Sequence, residues 1–581
     1  MTLSRKQRKS SKVWRRTRRT LYVLTGLALG VPAIAFMIGY LLWDVESPRH
    51  VLAELDRTVV LNYSDGTPMM KILPEDGDRQ YVQFADVPAK LVSAIIAVED
   101  PTFWTNDGFE PRGIVRAMVT GVGGGSGITQ QYIKNSTGDD DASYFRKFKE
   151  LVLATKVTRE RSKQDIFESY VNLVSFGRNT HGPAAGMNAY FGKPLASMTW
   201  SQAAFLAGML QAPYGHDPAA VGDGEAAKRW EYAANKLVER GYISPADRAA
   251  MAYPGKEIVP PGQTAGGKLS FTEYHIQQEV LAELEAQGYS LARLRREIAT
   301  VRTTIDRNAQ ARAVQVLHDR LGGQPDYLRA AVVSIDPKTG GVLAYAGGDW
   351  SARDYASTPH RTGTAFRPFP RATAVARGEP VTPPNIRQTA YDAGIPEFVD
   401  GQRTLTQDDD VHIATTIGDG VYRLRPLDLA GAYATFANHG TRVPPHFVGG
   451  VGKGKPAFGD KSTAVAAMAV ATGGYGPLPG EFRLGDTGDD YSDAWAINLG
   501  PQTVTAVWVG SDDERALRTA DGRAVTGESL PTIMWHEITA PTDGVPRGRT
   551  WFDPRKQFGL AAGDGLPGAI TSRKPDDGFR P

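Results

Sequence analysis

Apolar and polar positions change period several times along this chain, and each change marks a boundary. Leu21 to Trp43 is an uncharged run of 23 residues; as a helix it spans about 34 Å, enough to cross a hydrocarbon core of roughly 30 Å. Val59 to Phe84 alternates around Asp65-Gly66, the pattern of a short hairpin. From Leu91 the spacing turns helical: Leu91, Ala94, Ile95 and Val98 share a face that ends at Glu99. Tyr144 to Arg161 and Ala226 to Gly241 also read as helices, Tyr253 to Gly267 as a Pro- and Gly-rich linker, and Ser270 to Thr300 as charged helix. A new domain is expected from Val301, where two apolar runs flank the turn Asp336-Pro337-Lys338-Thr339-Gly340 and predict a β-hairpin within a sheet. Pro541 to Pro581, rich in Gly, Pro and charge, reads as a loose tail.

Length and charge refine this picture. At 581 residues the chain exceeds the roughly 250–300 at which single cores stop growing, so several domains are expected. The first twenty residues hold nine Lys or Arg and no acid. The whole chain is only +2, so the remainder is acidic by about seven charges. A basic tail alone would fit nucleic acid; followed at once by an apolar run, it predicts one membrane span instead. The run is longer than a signal peptide's apolar core of ~7–15 residues and ends without a small-residue cleavage site, so a retained anchor is expected, with Tyr40 and Trp43 in the interfacial belt. Basic residues stay inside, which puts residues 1–20 in the cytoplasm and the bulk of the chain outside the cytoplasmic membrane. The absence of cysteine excludes disulfides and thiolate metal sites.

Candidate chemistry concentrates between Val98 and Glu150. Glu99 and Asp100 end an apolar face, where desolvation raises an acid's pKa and makes it a usable base; a water-facing charge at a helix end is the plainer alternative. The glycine-rich stretch Gly121 to Gly127 opens into Ile128-Thr129-Gln130-Gln131, where a helix start aims N–H groups at an anion, with Lys134 in the second turn. Arg146 and Lys147 stand four and three residues before Glu150 and share its face. An ordinary surface ion pair has the same spacing. Carboxylates beside cations suit glycosyl transfer from a phosphorylated sugar, in which one acid takes a proton and the cations hold the departing phosphate.

The order of these residues resembles the family 51 peptidoglycan glycosyltransferases, the module at the front of class A penicillin-binding proteins. That family's first motif, E-D-x-x-F-x-x-H-x-G-x-D-x-x-G-x-x-R-A, is matched by EDPTFWTNDGFEPRGIVRA (Glu99 to Ala117); its second, G-G-S-T-I-T-Q-Q-x-x-K-N, by GGSGITQQYIKN (Gly124 to Asn135); its third, R-K-x-x-E, by RKFKE (Arg146 to Glu150). SKQDIFESYVNLVSFG, AYFGK and SQAAFLAGMLQAP follow in the family's order. The resemblance implies a mainly α, lysozyme-like transferase over 52–240 that polymerises lipid II. In it Glu99 deprotonates the acceptor's 4-hydroxyl, and Glu150 assists the leaving group. Asp100, Phe103, Arg116, Ser126, Gln130, Gln131, Lys134, Asn135, Arg146 and Lys147 would bind substrate. The resemblance leaves room for a divalent cation, Mg or Mn, at the pyrophosphate without assigning its ligands, and implies no organic cofactor. Implied partners are lipid II, the nascent glycan strand, the membrane, a separate transpeptidase and other cell-wall proteins, with no nucleic acid. Asn106 and Gly127 stand where the family writes His and Thr, and Gln202 where many members carry Glu. A glycan hydrolase and a non-catalytic scaffold or lipid II-binding pseudoenzyme are the rival readings; the cations around Glu150 argue against the hydrolase, and joint retention of Glu99, Lys134 and Glu150 against the scaffold.

After a linker and helical segment over 241–300, residues 301–540 resemble the penicillin-binding transpeptidase domain through TTIDRNAQ, SIDPKTGGVLAYAGG, RPLDLAGAYATFANHGTRVPPHFV and DAWAINLGPQTVTAVWVG. The family's Ser-x-x-Lys, Ser-x-Asn and Lys-Thr-Gly motifs do not survive. GTAFRPF places Thr364 at the nucleophile and Arg367 at the lysine; arginine does not deprotonate and cannot be the base. GDTG puts Asp486 at the last lysine, reversing the charge offered to a substrate carboxylate, and no serine occurs from Thr358 to Lys461. The expected architecture is multidomain: one transmembrane helix, the transferase, and a trimmed α/β transpeptidase-like domain without transpeptidase activity.

Overall fold

The computed structural model describes residues 5–110, 126–137, 143–261, 269–298, 300–348, 353–378, 380–406, 420–471, 474–475, 482–483, 492–500 and 502–539. The chain forms two compact units. The first comprises residues 1–59, 71–268 and 292–299; the second comprises 60–70, 269–291 and the chain from 300 onward.

The first unit is mainly helical. Helix α1 (Arg5–Leu42) holds a candidate membrane span within Trp14–Leu42, with mean hydropathy 2.1 over its most apolar 18 residues. It is long and apolar enough to cross a membrane, and it contains the uncharged run expected from Leu21. The helix α2 (Ala89–Glu99) follows a proline that cannot extend it backwards, and buries Leu91, Ala94, Ile95, Ile96 and Ala97. Helices α3 (Ile128–Thr137), α4 (Tyr144–Glu160) and α5 (Lys163–Leu173) come next, the last two N-capped by Ser143 and Ser162. Helix α6 (Trp200–Met209) opens with a Thr199/Gln202 capping box, and α7 (Asp223–Glu239) packs with α6 and α2. One apolar core unites them, from Leu91 and Ile95 through Tyr132, Leu153, Phe167 and Tyr170 to Phe205 and Leu237.

The described part of the expected linker is not loose. Tyr253 lies against Phe205 and Trp230, and the Val259 N–H donates to the Tyr190 carbonyl, because the segment's aromatic and apolar residues find core surface to cover.

In the second unit, strand β1 (Val59–Asn62) pairs in parallel with β3 (Thr300–Arg302), through Val60↔Thr300, Leu61↔Val301 and Asn62↔Arg302. Its hairpin partner is β2 (Pro68–Ile72). That pairing is why 60–70 count with the second unit, so the expected boundaries at 52, 240 and 301 do not coincide with the compact units. Likewise the expected helix over Ser270 to Thr300 is two helices, Phe271–Ala286 and Leu291–Glu297, ending in β3. The main sheet is antiparallel: β4 (Arg329–Ile335), β5 (Val342–Ala346), β6 (Asp493–Leu499) and β7 (Val504–Gly510) in the order β6-β7-β4-β5. Helices Arg307–Leu321 and Leu530–Thr539 cover one face, where Ala313, Leu317 and Met534 meet Ala330, Val332, Ala494 and Val507. Helix Pro426–Ala437 packs on β4 and β7 with residues outside that cluster, so both faces are covered and the strands read as continuous apolar runs.

Candidate active site

Glu99 ends α2 because Asp100 leaves helical geometry, at φ −155° and ψ 82°. The Glu99 carboxylate lies among core helices, and burial raises its pKa above the ordinary 4.5; a hydrogen bond from Gln131 and the Arg229 charge pull the other way. Gln131 Nε2 donates to Glu99 Oε2 at 2.7 Å. Since a carboxylate only accepts, the amide must turn its oxygen the other way, and there Oε1 accepts from the Tyr170 hydroxyl at 3.2 Å. Burial, with Glu99 and Asp100 nearby, pushes Tyr170 well above its usual pKa, so it stays a neutral donor.

Glu150 lies in the second turn of α4 and is 3% exposed. Arg146 bonds its Oε1, and Lys147 Nζ its Oε2 at 2.7 Å. This is no ordinary surface pair: a carboxylate so buried is held in place by its cations, and losing one leaves uncompensated charge. Lys147 Nζ also donates to Ser126 Oγ at 2.8 Å, while the Ser126 carbonyl accepts from Gln131 Nε2 at 3.3 Å. A hydrogen-bonded line therefore runs from Glu99 through Gln131, Ser126 and Lys147 to Glu150, joining residues up to 51 positions apart.

The remaining candidates fall around this line. Lys134 is half-buried on α3 one turn beyond Gln131, and Asn135 beside it is exposed. Gln130 is buried, its Oε1 accepting from the Gly127 N–H at 3.2 Å, so it closes its own helix start. Asp100 is 4% exposed and accepts from Ile128 N at 3.1 Å. Phe103 is fully buried against Trp104 and Phe167, in the core and away from solvent. Arg116 and Gly121 to Gly125 lie outside the described residues. Gln202 caps its own helix and donates to Glu257 at 2.9 Å, on a helix that packs against α2.

Sequence reasoning passed over Tyr170 and Lys163. Tyr170 carried one signal, a phenol on the buried face of a helix, which must find a polar partner. Both Glu150 oxygens are occupied by cations, and among the described residues no group of three His, Asp or Glu could hold a metal ion. The described residues therefore offer a divalent cation no vacant carboxylate oxygen at Glu150.

In the second unit Gly363, at φ 49°, turns the chain out of strand His360–Gly363 into the short turn Thr364–Phe366, and helix Pro368–Arg377 follows. Thr364 is half-buried and Arg367 exposed. Asp486 lies outside the described residues.

Residues 65–238 match the protein family described as Transglycosylase. Penicillin-binding protein 1A of Mycobacterium tuberculosis (strain ATCC 25618 / H37Rv) is 32% identical, over 92% of this chain and 76% of that protein. Penicillin-binding protein 1A of Mycolicibacterium smegmatis is 31% identical, over 97% of this chain and 83% of its own length. A solved structure of the PonA1 protein from Mycobacterium tuberculosis in complex with penicillin V covers 46% of this chain and 92% of its own, at 28% identity and a TM-score of 0.39.

Proposed function

The chain belongs to the class A penicillin-binding proteins, and from that footing we propose that it polymerises lipid II into glycan strands from a single-pass membrane anchor. Residues 1–20 lie inside and the chain beyond the anchor lies outside. The transglycosylase match and the relatives support the glycosyltransferase role. The observation that carries the finer reading is the hydrogen-bonded line from Glu99 to Glu150, which fixes a desolvated carboxylate and a cation-saturated one in a single framework.

In the reaction Glu99 takes the proton from the acceptor sugar's 4-hydroxyl as that oxygen attacks the donor's anomeric carbon. The bond to the pyrophosphate breaks on the opposite face, inverting the centre and releasing undecaprenyl pyrophosphate. Its raised pKa fits a base that must hold the proton once taken. Lys134, Arg146 and Lys147 meet the charge that develops on the pyrophosphate, with Glu150 keeping the last two in position.

The second unit is a transpeptidase-like fold without its chemistry: Arg367, one turn beyond Thr364, is always charged and cannot activate a hydroxyl. Cross-linking then falls to a separate transpeptidase. The test of the transferase is Glu99→Gln. Glycan chains from labelled lipid II should disappear, a fall of roughly 100-fold or more, while the variant unfolds as cooperatively as the parent; unchanged polymerisation would sink the assignment of the base.

A further inference from the structure

The two departures in the transferase motifs, Asn106 and Gly127, meet at one carboxylate. Asn106 Nδ2 donates to both Asp100 oxygens, at 3.0 and 3.1 Å, while Thr102 Oγ1 donates to Oδ1 at 3.3 Å and the Ile128 N–H to Oδ2 at 3.1 Å. A Cβ added at Gly127 would lie 3.0 Å from Asp100 Cγ and closer still to Oδ2, so only glycine leaves Asp100 where it is. On its other side, Asn106 Oδ1 accepts from Lys163 Nζ at 2.8 Å and from Gly108 N at 3.0 Å.

Lys163 is an odd residue for its place. It is the first residue of α5, where the aligned peptide dipoles disfavour a cation, and it is half-buried over the Phe103 ring, 4.7 Å from the centroid. Burial lowers its pKa, and the charges of Asp100 and Asp107 oppose that. A lysine kept where both dipole and desolvation work against it is held there by what it bonds, and that is the Asn106 carboxamide.

Building on the transferase reading, we propose that Lys163 is a positioning residue of this site: acting through Asn106, it holds the Asp100 carboxylate against the Ile128 N–H, so that the start of α3 stays closed and presents Gln131 to Glu99. Gly127 belongs to the same device, because it makes room for the carboxylate.

The test uses the full chain in detergent with Lys163→Met, Lys163→Arg and Asn106→Leu. Polymerisation from labelled lipid II is followed as kcat and KM, and amide exchange is followed in a peptide spanning residues 126–137. The expected result for Lys163→Met and Asn106→Leu is kcat down roughly tenfold with KM within about twofold, and exchange at the α3 start faster by roughly tenfold. Lys163→Arg, which can still reach Asn106, should recover most of both. Parent-like kcat and exchange in Lys163→Met would overturn the proposal, as would a raised KM at unchanged kcat, which would make Lys163 a substrate contact. An unsubstituted chain that makes no polymer would remove the transferase reading itself; the exchange arm would then still show whether Lys163 holds the α3 start.

Discussion

Glu99 lies where two demands on one side chain conflict. Burial lifts its pKa above 4.5, so the folded protein binds a proton there more readily than the unfolded chain does. That favours folding fully below 4.5, and the gain is lost as pH rises through the folded value. At pH 7 the buried charge no longer helps, and Glu99→Gln should raise the Tm slightly, on the order of 2 °C, as polymerisation vanishes. A lower Tm in that variant would mean that the charge is compensated better than its surroundings indicate. Catalysis has the complementary dependence: a base must be ionised, so the rate should fall as pH drops through the raised Glu99 value. Gln131 lowers that value by donating to the carboxylate. Gln131→Leu should therefore move the acid limb of the pH–rate profile upward, and a limb that stays in place would detach Gln131 from the base. In the sequence, the apolar helical face that ends at Glu99 left two readings open, a desolvated acid and a water-facing charge. The partner of Glu99 was not legible, because Gln131 lies 32 residues away behind a glycine-rich segment whose path periodicity does not encode.

Among the elements, α4 joins the site to the anchor. Its first two turns carry Arg146, Lys147 and Glu150, and Phe148 between them turns to α1 and the residue that follows it, 6.4 Å from Phe36 and 6.1 Å from Trp43 by ring centroids. Lys156 Nζ donates to the Trp43 carbonyl at 2.7 Å, and Arg159 lies over the Tyr40 ring. Phe148→Ala should loosen this seam at a cost of about 2 kcal/mol, less than a fully buried phenylalanine because the ring is half-exposed; thermal unfolding of the detergent-solubilised chain would register it. Arg146→Ala acts on the other face. It leaves Glu150, 3% exposed, with Lys147 alone, and should cost on the order of 3 kcal/mol, the low end for breaking a buried pair. The i−4 and i−3 spacing was visible in the sequence. Whether the trio faced water or the interior was not, because α4 carries charge on several sides and its burial is decided by what packs on it.

At the scale of the whole molecule, the proposed function asks the second unit to keep its fold without its chemistry. Its hairpin around the Asp336 turn, Arg329–Ile335 with Val342–Ala346, was foreseen from the two apolar runs that flank the turn. The parallel pairing of Val60–Asn62 with Thr300–Arg302 was not foreseen, since a register spanning some 240 residues leaves no local trace. Under the proposed function what survives there is packing, with Thr364, Arg367 and Asp486 at the positions where the resemblance puts the chemistry. The most direct test of a transferase joined to a silent transpeptidase-like unit is one preparation of the full chain divided between two tubes, one with labelled lipid II and one with fluorescent penicillin. Long glycan chains are expected in the first and no covalent label on the protein in the second. Stoichiometric penicillin labelling, or lipid II left unpolymerised, would contradict it.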